Sequence, residues 1–596
     1  MSNHSDFKKN IIDNARQKEL KLRDYHNKVF ASSSEKALDM ILDYPFPAKL
    51  IQSFPDQDLY YLMHKIGKSD FIPVLSMASS EQWEYILDMD VWDNDRLDIK
   101  SMTNSFDLLF KADSQRLLRW VIKEKPDFLE FYLLNNIDIK IREHDELIPD
   151  DSDEYITFDD KFYFKIKALV NEEDKENNRE LILKMFKTLA ELDLSVLHGL
   201  LLETSALMLS QTEEEQYRQK NIRLAEKGFL PFHHAIGIYQ PTSSSFISKR
   251  QDKTFLDKEY FDSDLPLPPQ FFSNVFQNKN LFVKALNLFD NKALLFFETE
   301  FAVLTNKIIS ADKIKVESIK MLEKAALKAC DYLNLGIEKM LNGRLDIVLA
   351  RDIIANYSLE DIFRAGVQES IFLKIRAQKW FKKSFMYKKR LPLSFLCEDF
   401  LAVLGGLFLD RPLLFVKDAE VLDTKEIKTK LEISDSGAMY KNFQSVFEIE
   451  QASKTLDKII AIDEMLDKAD FDISSFTQGI LTYKSLILTL WAKRCLNLEL
   501  SLEPIDIKVF KKFFIQLFSS FDNSSYDSSN KDKSKGKETI QLSDMISWIS
   551  EISGIENISK NLIMVLENLL EEIKDEYASL DENDIDPRFM PHFFLK

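Results

Sequence analysis

The chain has 596 residues, 45% hydrophobic and 30% charged, with a formal net charge of −19. That length exceeds a single hydrophobic core, so several domains or a helical array are expected. The surplus of acids excludes nucleic acid as the main partner, because binding a polyanion needs a basic face that releases counterions.

Forty-six Phe set against 13 Gly and 16 Pro favour packed helix over a turn-rich β fold. The fold class is therefore all-α, an irregular stack of helical hairpins forming a superhelical array. Residues 1–33 read as a charged helix, without the apolar segment of a signal peptide. From 34 to 141 short helices begin in related ways, at Phe54-Pro-Asp-Gln-Asp-Leu59, Ala78-Ser-Ser-Glu-Gln-Trp83 and Ala112-Asp-Ser-Gln-Arg-Leu117. Pro55 suits a first helical position, Ser79 with Gln82 makes a capping box, and Asp113 caps the third start. The starts lie 24 and then 34 residues apart, so the array is a degenerate one.

Residues 142–265 form a central helical segment that opens on an acidic loop. Within it Tyr155–Phe158 and Phe162–Ile166 alternate about Asp159-Asp160-Lys161, which predicts a small inserted β-hairpin near 155–166. Helix then runs from about Lys175 through Glu226 and closes at Gly228. The apolar run Leu194–Thr212 carries His198, Glu203 and several hydroxyls, and reads as a buried helix, not a membrane span. Residues 266–518 form a larger helical domain. Its clearest helix is Lys313–Leu341, ended by Asn342-Gly343, and a second starts at Ser358 with Asp361 three residues on. Gly405-Gly406 marks close helix packing, and the basic run Lys382, Lys383, Lys388, Lys389 and Arg390 a solvated helix end. Residues 519–540 read as a disordered linker and 541–596 as a C-terminal helical unit.

There is no GxxxxGK[ST], GxGxxG, HExxH or GxSxG pattern, which removes the commonest nucleotide, dinucleotide, zinc-hydrolase and serine-hydrolase signatures. Cys330, Cys397 and Cys495 match no metal or disulfide spacing and suit a reducing compartment, so a cytoplasmic location is expected. His233-His234 are adjacent and diverge by about 100° on a helix, which suits a surface role better than chelation. His198 reads as a satisfied core histidine. Asp150, Asp151 and Asp153 are weak candidates for a hard cation, and Glu298 with Glu300 for a carboxylate pair. No cofactor is implied. The densest polar constellation is Glu213–Gly228, with Glu214 and Arg218 as partners one turn apart. Its candidate binding residues are Arg218, Asn221, Arg223 and Glu226, the arginines being suited to a carboxylate or phosphate.

Gln57-Asp-Leu-Tyr60, Ser80-Glu-Gln-Trp83, Asn221–Phe229 and Ile585-Asp-Pro-Arg-Phe589 resemble an uncharacterised bacterial family catalogued only as a domain of unknown function. The resemblance covers nearly the whole chain and implies no activity, cofactor or catalytic residue. Residues 34–120 also look like the helical N-terminal domain of magnesium-channel proteins, which implies a protein-binding architecture.

The reading is a non-enzymatic cytoplasmic scaffold or adaptor that binds another protein through Trp83, Trp92 and Trp120, without membrane insertion. The alternative is a carboxylate-based, divalent-cation-dependent enzyme or sensor. Surface attachment to lipid through Phe593-Phe594 is disfavoured by Glu567, Glu571, Glu572, Asp575 and Glu576.

Overall fold

The computed structural model describes residues 22, 24–142, 155–159, 161–167, 172–206, 209–241, 249–251, 280–315, 319–417, 432–433, 439–471, 473, 481–518 and 531–596. The fold is all-α, interrupted by small antiparallel strand groups. The chain divides into two compact units, 1–333 with 345–364, and 334–344 with 365–596. The division falls inside helices Ile319–Met340 and Leu359–Phe381 instead of at the breaks in composition.

Unit 1 opens with α1 (Ser34–Leu42), α2 (Pro47–Ser53), α3 (Asp56–Ile66), α4 (Ile72–Met77) and α5 (Ser80–Asp90). Each packs on the helix two places along: α1 on α3, α2 on α4, α3 on α5. Alternation of this kind is what short amphipathic helices need in order to bury one stripe each. The predicted caps organise it. Ser79 and Gln82 close the capping box on α5, and the Gln82 amide also donates to the carbonyls of Ile51 and Phe54, 2.9 Å each. Pro55 sits one place earlier than expected, just outside α3.

The hairpin β1 (Trp92–Asp93) and β2 (Arg96–Leu97) follows, then α6 (Ile99–Glu124), α7 (Pro126–Asn136) and β3 (Ile137–Ile141). Asp113 breaks α6 with φ −160° and ψ 96°, and its carboxylate accepts from Arg116 N at 3.0 Å, capping the second half as expected. The predicted hairpin is β4 (Ile156–Thr157) with β5 (Phe162–Ile166), and β5 also pairs with β3. Asp159 shapes its turn by accepting from the amides of Lys161 and Phe162.

Helices α8 (Glu172–Leu192), α9 (Leu194–Ala206) and α10 (Leu209–Ala225) come next. The apolar run Leu194–Thr212 is not a uniformly buried helix. Leu197, Leu200 and Leu201 are buried while Leu194 and Leu202 are exposed. Among the described residues no helix is long and apolar enough to cross a membrane. Unit 1 is completed by α11 (Phe232–Ala235), α12 (Leu281–Leu286), α13 (Asn291–Ala311), the first part of α14 (Ile319–Met340), α15 (Ile347–Asn356) and the first part of α16 (Leu359–Phe381). Lys313 does not begin a helix as expected. It takes φ +52° in the turn that ends α13, and Ile314 N donates back to Ile309 O.

In unit 2, α17 (Phe385–Lys388) and α18 (Glu398–Phe408) lead into β6 (Leu414–Val416), β7 (Glu432–Ile433) and β8 (Met439–Lys441). A Cβ on Gly406 would lie 2.5 Å from Leu413 O and 2.9 Å from the Tyr440 ring, so the glycine permits contact between α18 and this sheet. The central helix is α19 (Val446–Ala469), packed by α17, α18, α22 (Lys531–Ser553) and α23 (Lys560–Tyr577); α20 (Tyr483–Cys495) packs on α21 (Ile507–Phe518). The basic run is a helix end as expected, with Lys388 on Asp467 and Lys389 on Asp470. Residues 519–530 lie outside the described residues. The remainder of the segment read as a linker is helical from Lys531, where lysine and glutamate are good helix formers and no proline intervenes.

Candidate functional site

The cleft belongs to unit 1, and five chain segments build it. Helix α5 ends on the pair Asp88 and Asp90. The chain then folds back through Asn94, left-handed at φ +58°, so that Trp92 and Asp93 face Leu97 and Arg96 across the hairpin. Asparagine tolerates that conformation because its short polar side chain bonds locally. Asp98 accepts from Ser101 N at 3.1 Å and starts α6. Helix α10 supplies the opposite wall.

Leu224 is buried in α10, and Asn221, Lys220 and Tyr217 lie three, four and seven residues before it, on the same helical face. The chain leaves α10 through Gly228, at φ +89°, where a Cβ would fall 2.7 Å from Val303 O. The turn is fastened by Asn306 Nδ2 donating to Lys227 O at 2.6 Å and Leu230 N donating to Ser310 Oγ at 3.3 Å. Together with residues 313–315 these parts enclose a space of about 740 Å³, open on one side.

Most charges around this space are already paired. Arg223 holds Asp88 by two hydrogen bonds, Nε to Oδ2 at 2.8 Å and Nη2 to Oδ1 at 2.7 Å, and also meets Glu84 at 3.0 Å. Asp90 accepts from Tyr60 at 2.7 Å and Lys68 at 2.5 Å. Asp93 takes Lys315 at 2.9 Å. Lys313 lies over the Phe232 ring at 4.3 Å.

Lys220, like Lys313, rests on aromatic rings and not on a carboxylate, but it is half-buried where Lys313 is exposed. Its ammonium lies 4.8 Å from the centre of the Trp92 ring and 5.9 Å from that of Tyr217, and no carboxylate among the described residues is within ion-pair distance. Burial draws its amine down to about 8; nearby Asp88 opposes this and Arg223 reinforces it. The Trp92 face favours the charged form by only about 0.5–1 kcal/mol, less than burial costs it. A desolvated lysine beside a cleft is an anchor for an anionic oxygen and, once deprotonated, a nucleophile.

The structure sorts the residues singled out from sequence. Asn221 lines the cleft. Arg223 lies behind its wall, locked to Asp88. Arg218 is exposed and pairs with Glu215 at 3.0 Å, not with Glu214 as expected. Glu226 is exposed in the turn after α10. Asp150, Asp151 and Asp153 lie outside the described residues. Glu300 is not one of a carboxylate pair, because it accepts from Arg250 and from Leu359 N. His198 is half-exposed instead of core, 2.5 Å from Asp159 and stacked on Phe162. His233 lines the cleft, beside His234 on a four-residue helix. Trp83 and Trp120 are not surface anchors: they pack edge to face in the core at 5.9 Å, which leaves Trp92 at the cleft.

In unit 2, ligand atoms of Glu572, Glu576 and His592 lie within 4.8 Å of one another. Each already has partners. His592 Nε2 meets Glu572 at 3.2 Å and Nδ1 meets Glu576 at 3.0 Å, while Lys484 sits on Glu572. Hydrogen bonding to His592, together with the Lys484 cation, holds Glu572 at about 2. This network fastens the C-terminal segment, whose Phe593 is buried against Phe510, Phe513 and Tyr577.

The first unit is thus an all-α stack with a polar cleft between its early helices and α10. The chain belongs to DUF6178, a family of unknown function whose model matches residues 14–596. No curated protein and no solved structure matches it, so the likeness of residues 34–120 to magnesium-channel domains has no relative to rest on.

Proposed function

We propose that unit 1 binds a small polar molecule in its cleft, with Lys220 as the group that meets it. The observation that carries this reading is the half-buried amine, with no ion pair among the described residues, lining a space of about 740 Å³. That size falls in the range of small-molecule sites. Asp90, Asp93, Asp95 and Asp98 share the lining and disfavour a polyanion. The ligand therefore carries one carbonyl or carboxylate for Lys220, and hydroxyl or amino groups for the aspartates and Asn221.

Thermal melting in a panel of hydroxy acids, amino acids and keto acids tests this. At least one compound is expected to raise Tm of the wild type and to leave Lys220→Met unmoved. A panel in which none shifts the wild type, or shifts both proteins alike, removes the reading.

A second reading retains the adaptor role. It is favoured by one observation, four exposed apolar side chains within five residues at the start of α15: Leu345 (71%), Ile347, Val348 (61%) and Leu349. Exposed apolar patches of this kind mark interaction sites. Crosslinked capture from the native host is expected to yield a stoichiometric partner that a Leu345→Ser, Val348→Ser variant loses. Equal capture by the variant ends that reading.

A further inference from the structure

The constraints on the Lys220 amine reach further than affinity. Arg223, one turn along the same helix, turns its Nε–Nη2 edge to Asp88, and its Nε also meets Glu84. Asp88, held by Arg223, favours the charged form of Lys220, while Arg223 opposes it as a like charge. The other amines of the cleft are situated differently: Lys68 rests on Asp90 and Lys315 on Asp93, while Lys313 lies over the Phe232 ring but is exposed. The Lys220 nitrogen lies over the Trp92 ring and near that of Tyr217, and all three side chains line the open space. Asn221 follows on the same wall, with an amide suited to hydrogen-bond an oxygen.

We infer that Lys220 is a carbonyl-reactive amine, which condenses with an aldehyde or ketone entering the cleft to form an imine. The inference rests on the ligand-binding reading of the cleft and names its chemistry. The Nζ lone pair adds to the carbonyl carbon, and the oxygen takes a proton to give a carbinolamine. Loss of that oxygen as water, with the proton from nitrogen, leaves C=N. The sum is amine plus carbonyl giving imine plus water, with no change of oxidation state and no co-reactant. Burial supports the chemistry by leaving a usable fraction of free amine near neutral pH.

The full-length protein treated with sub-stoichiometric glyoxylate or 4-carboxybenzaldehyde and sodium cyanoborohydride, then digested and mapped by mass spectrometry, tests this. Lys220 is expected to carry at least tenfold more reductive label than Lys68, Lys313 or Lys315. In Lys220→Arg, checked for an unchanged melting profile, that label disappears and the labelling of the other three stays the same. Wild-type labelling of Lys220 at or below the level of Lys313 and Lys315 overturns the inference. It does so without touching the ligand-binding reading if the Lys220→Met-sensitive shift in Tm is present. If that shift is also missing, both fall together.

Discussion

Lysine ordinarily titrates near 10.5, and burial, reinforced by Arg223 and opposed by Asp88, brings Lys220 to about 8. A base whose affinity for protons is lower when folded opposes folding while charged. Between about pH 8 and 10.5 the unfolded chain binds more protons, so this residue makes stability rise with pH in that window and is a burden below it. The full effect would be roughly 3 kcal/mol, at about 1.4 kcal/mol per tenfold change in proton affinity. The Trp92 face and the open side of the cleft return part of it, leaving about 1–2 kcal/mol. Lys220→Met is thus expected to slow hydrogen exchange in α10 at pH 7, and to lose that advantage as pH approaches 10. Faster exchange at pH 7 would show that the ammonium carries no strain. Of the residues that stand out in the sequence, Asn221 lines the cleft, while Arg218, Arg223 and Glu226 do not. Arg218 and Glu226 attract notice as charges, yet the face is set by Leu224, and counting back from it by three, four and seven reaches Asn221, Lys220 and Tyr217.

The cleft keeps its shape because the elements around it end where they do. Gly228 was legible as a helix terminator, but its second duty was not. Its φ of +89° fits a helix end, while the 2.7 Å approach of a would-be Cβ to Val303 O depends on a helix some 75 residues away. Gly228→Ala is expected to cost about 2–4 kcal/mol, adding a left-handed alanine to a backbone clash. Gly343→Ala, with φ +79° and nothing within 4 Å, should cost only about 1 kcal/mol. Chemical denaturation of both variants measures the difference, and equal losses would mean that Val303 yields freely. Helix caps at Ser79, Asp113 and Ser358 were all readable, since each is a local hydrogen bond within three residues. The hairpin at 155–166 was readable from its alternation. That at 92–97 was not, because two-residue strands are too short to show a period.

At the scale of the whole chain, helical periodicity and the scarcity of glycine and proline determined the class of fold, and composition its acidic balance. Those are properties of composition and of contacts within a turn or two, and no distant residue alters them. The division into two units is of the opposite kind. It falls within α14 and α16, where helical pattern continues without a break, since compactness depends on which distant segments meet. The cleft is of the same kind. Asp88 and Arg223 are 135 residues apart, and so the sequence showed two charged side chains where the tertiary structure made one locked pair. Pairing removes a charge from use, and which charge is left over is decided only when every other has found its partner. The sequence by itself determined an acidic, helical protein with capped helices and one inserted hairpin; only the tertiary structure decided that Lys220 would line the cleft with no carboxylate partner among the described residues.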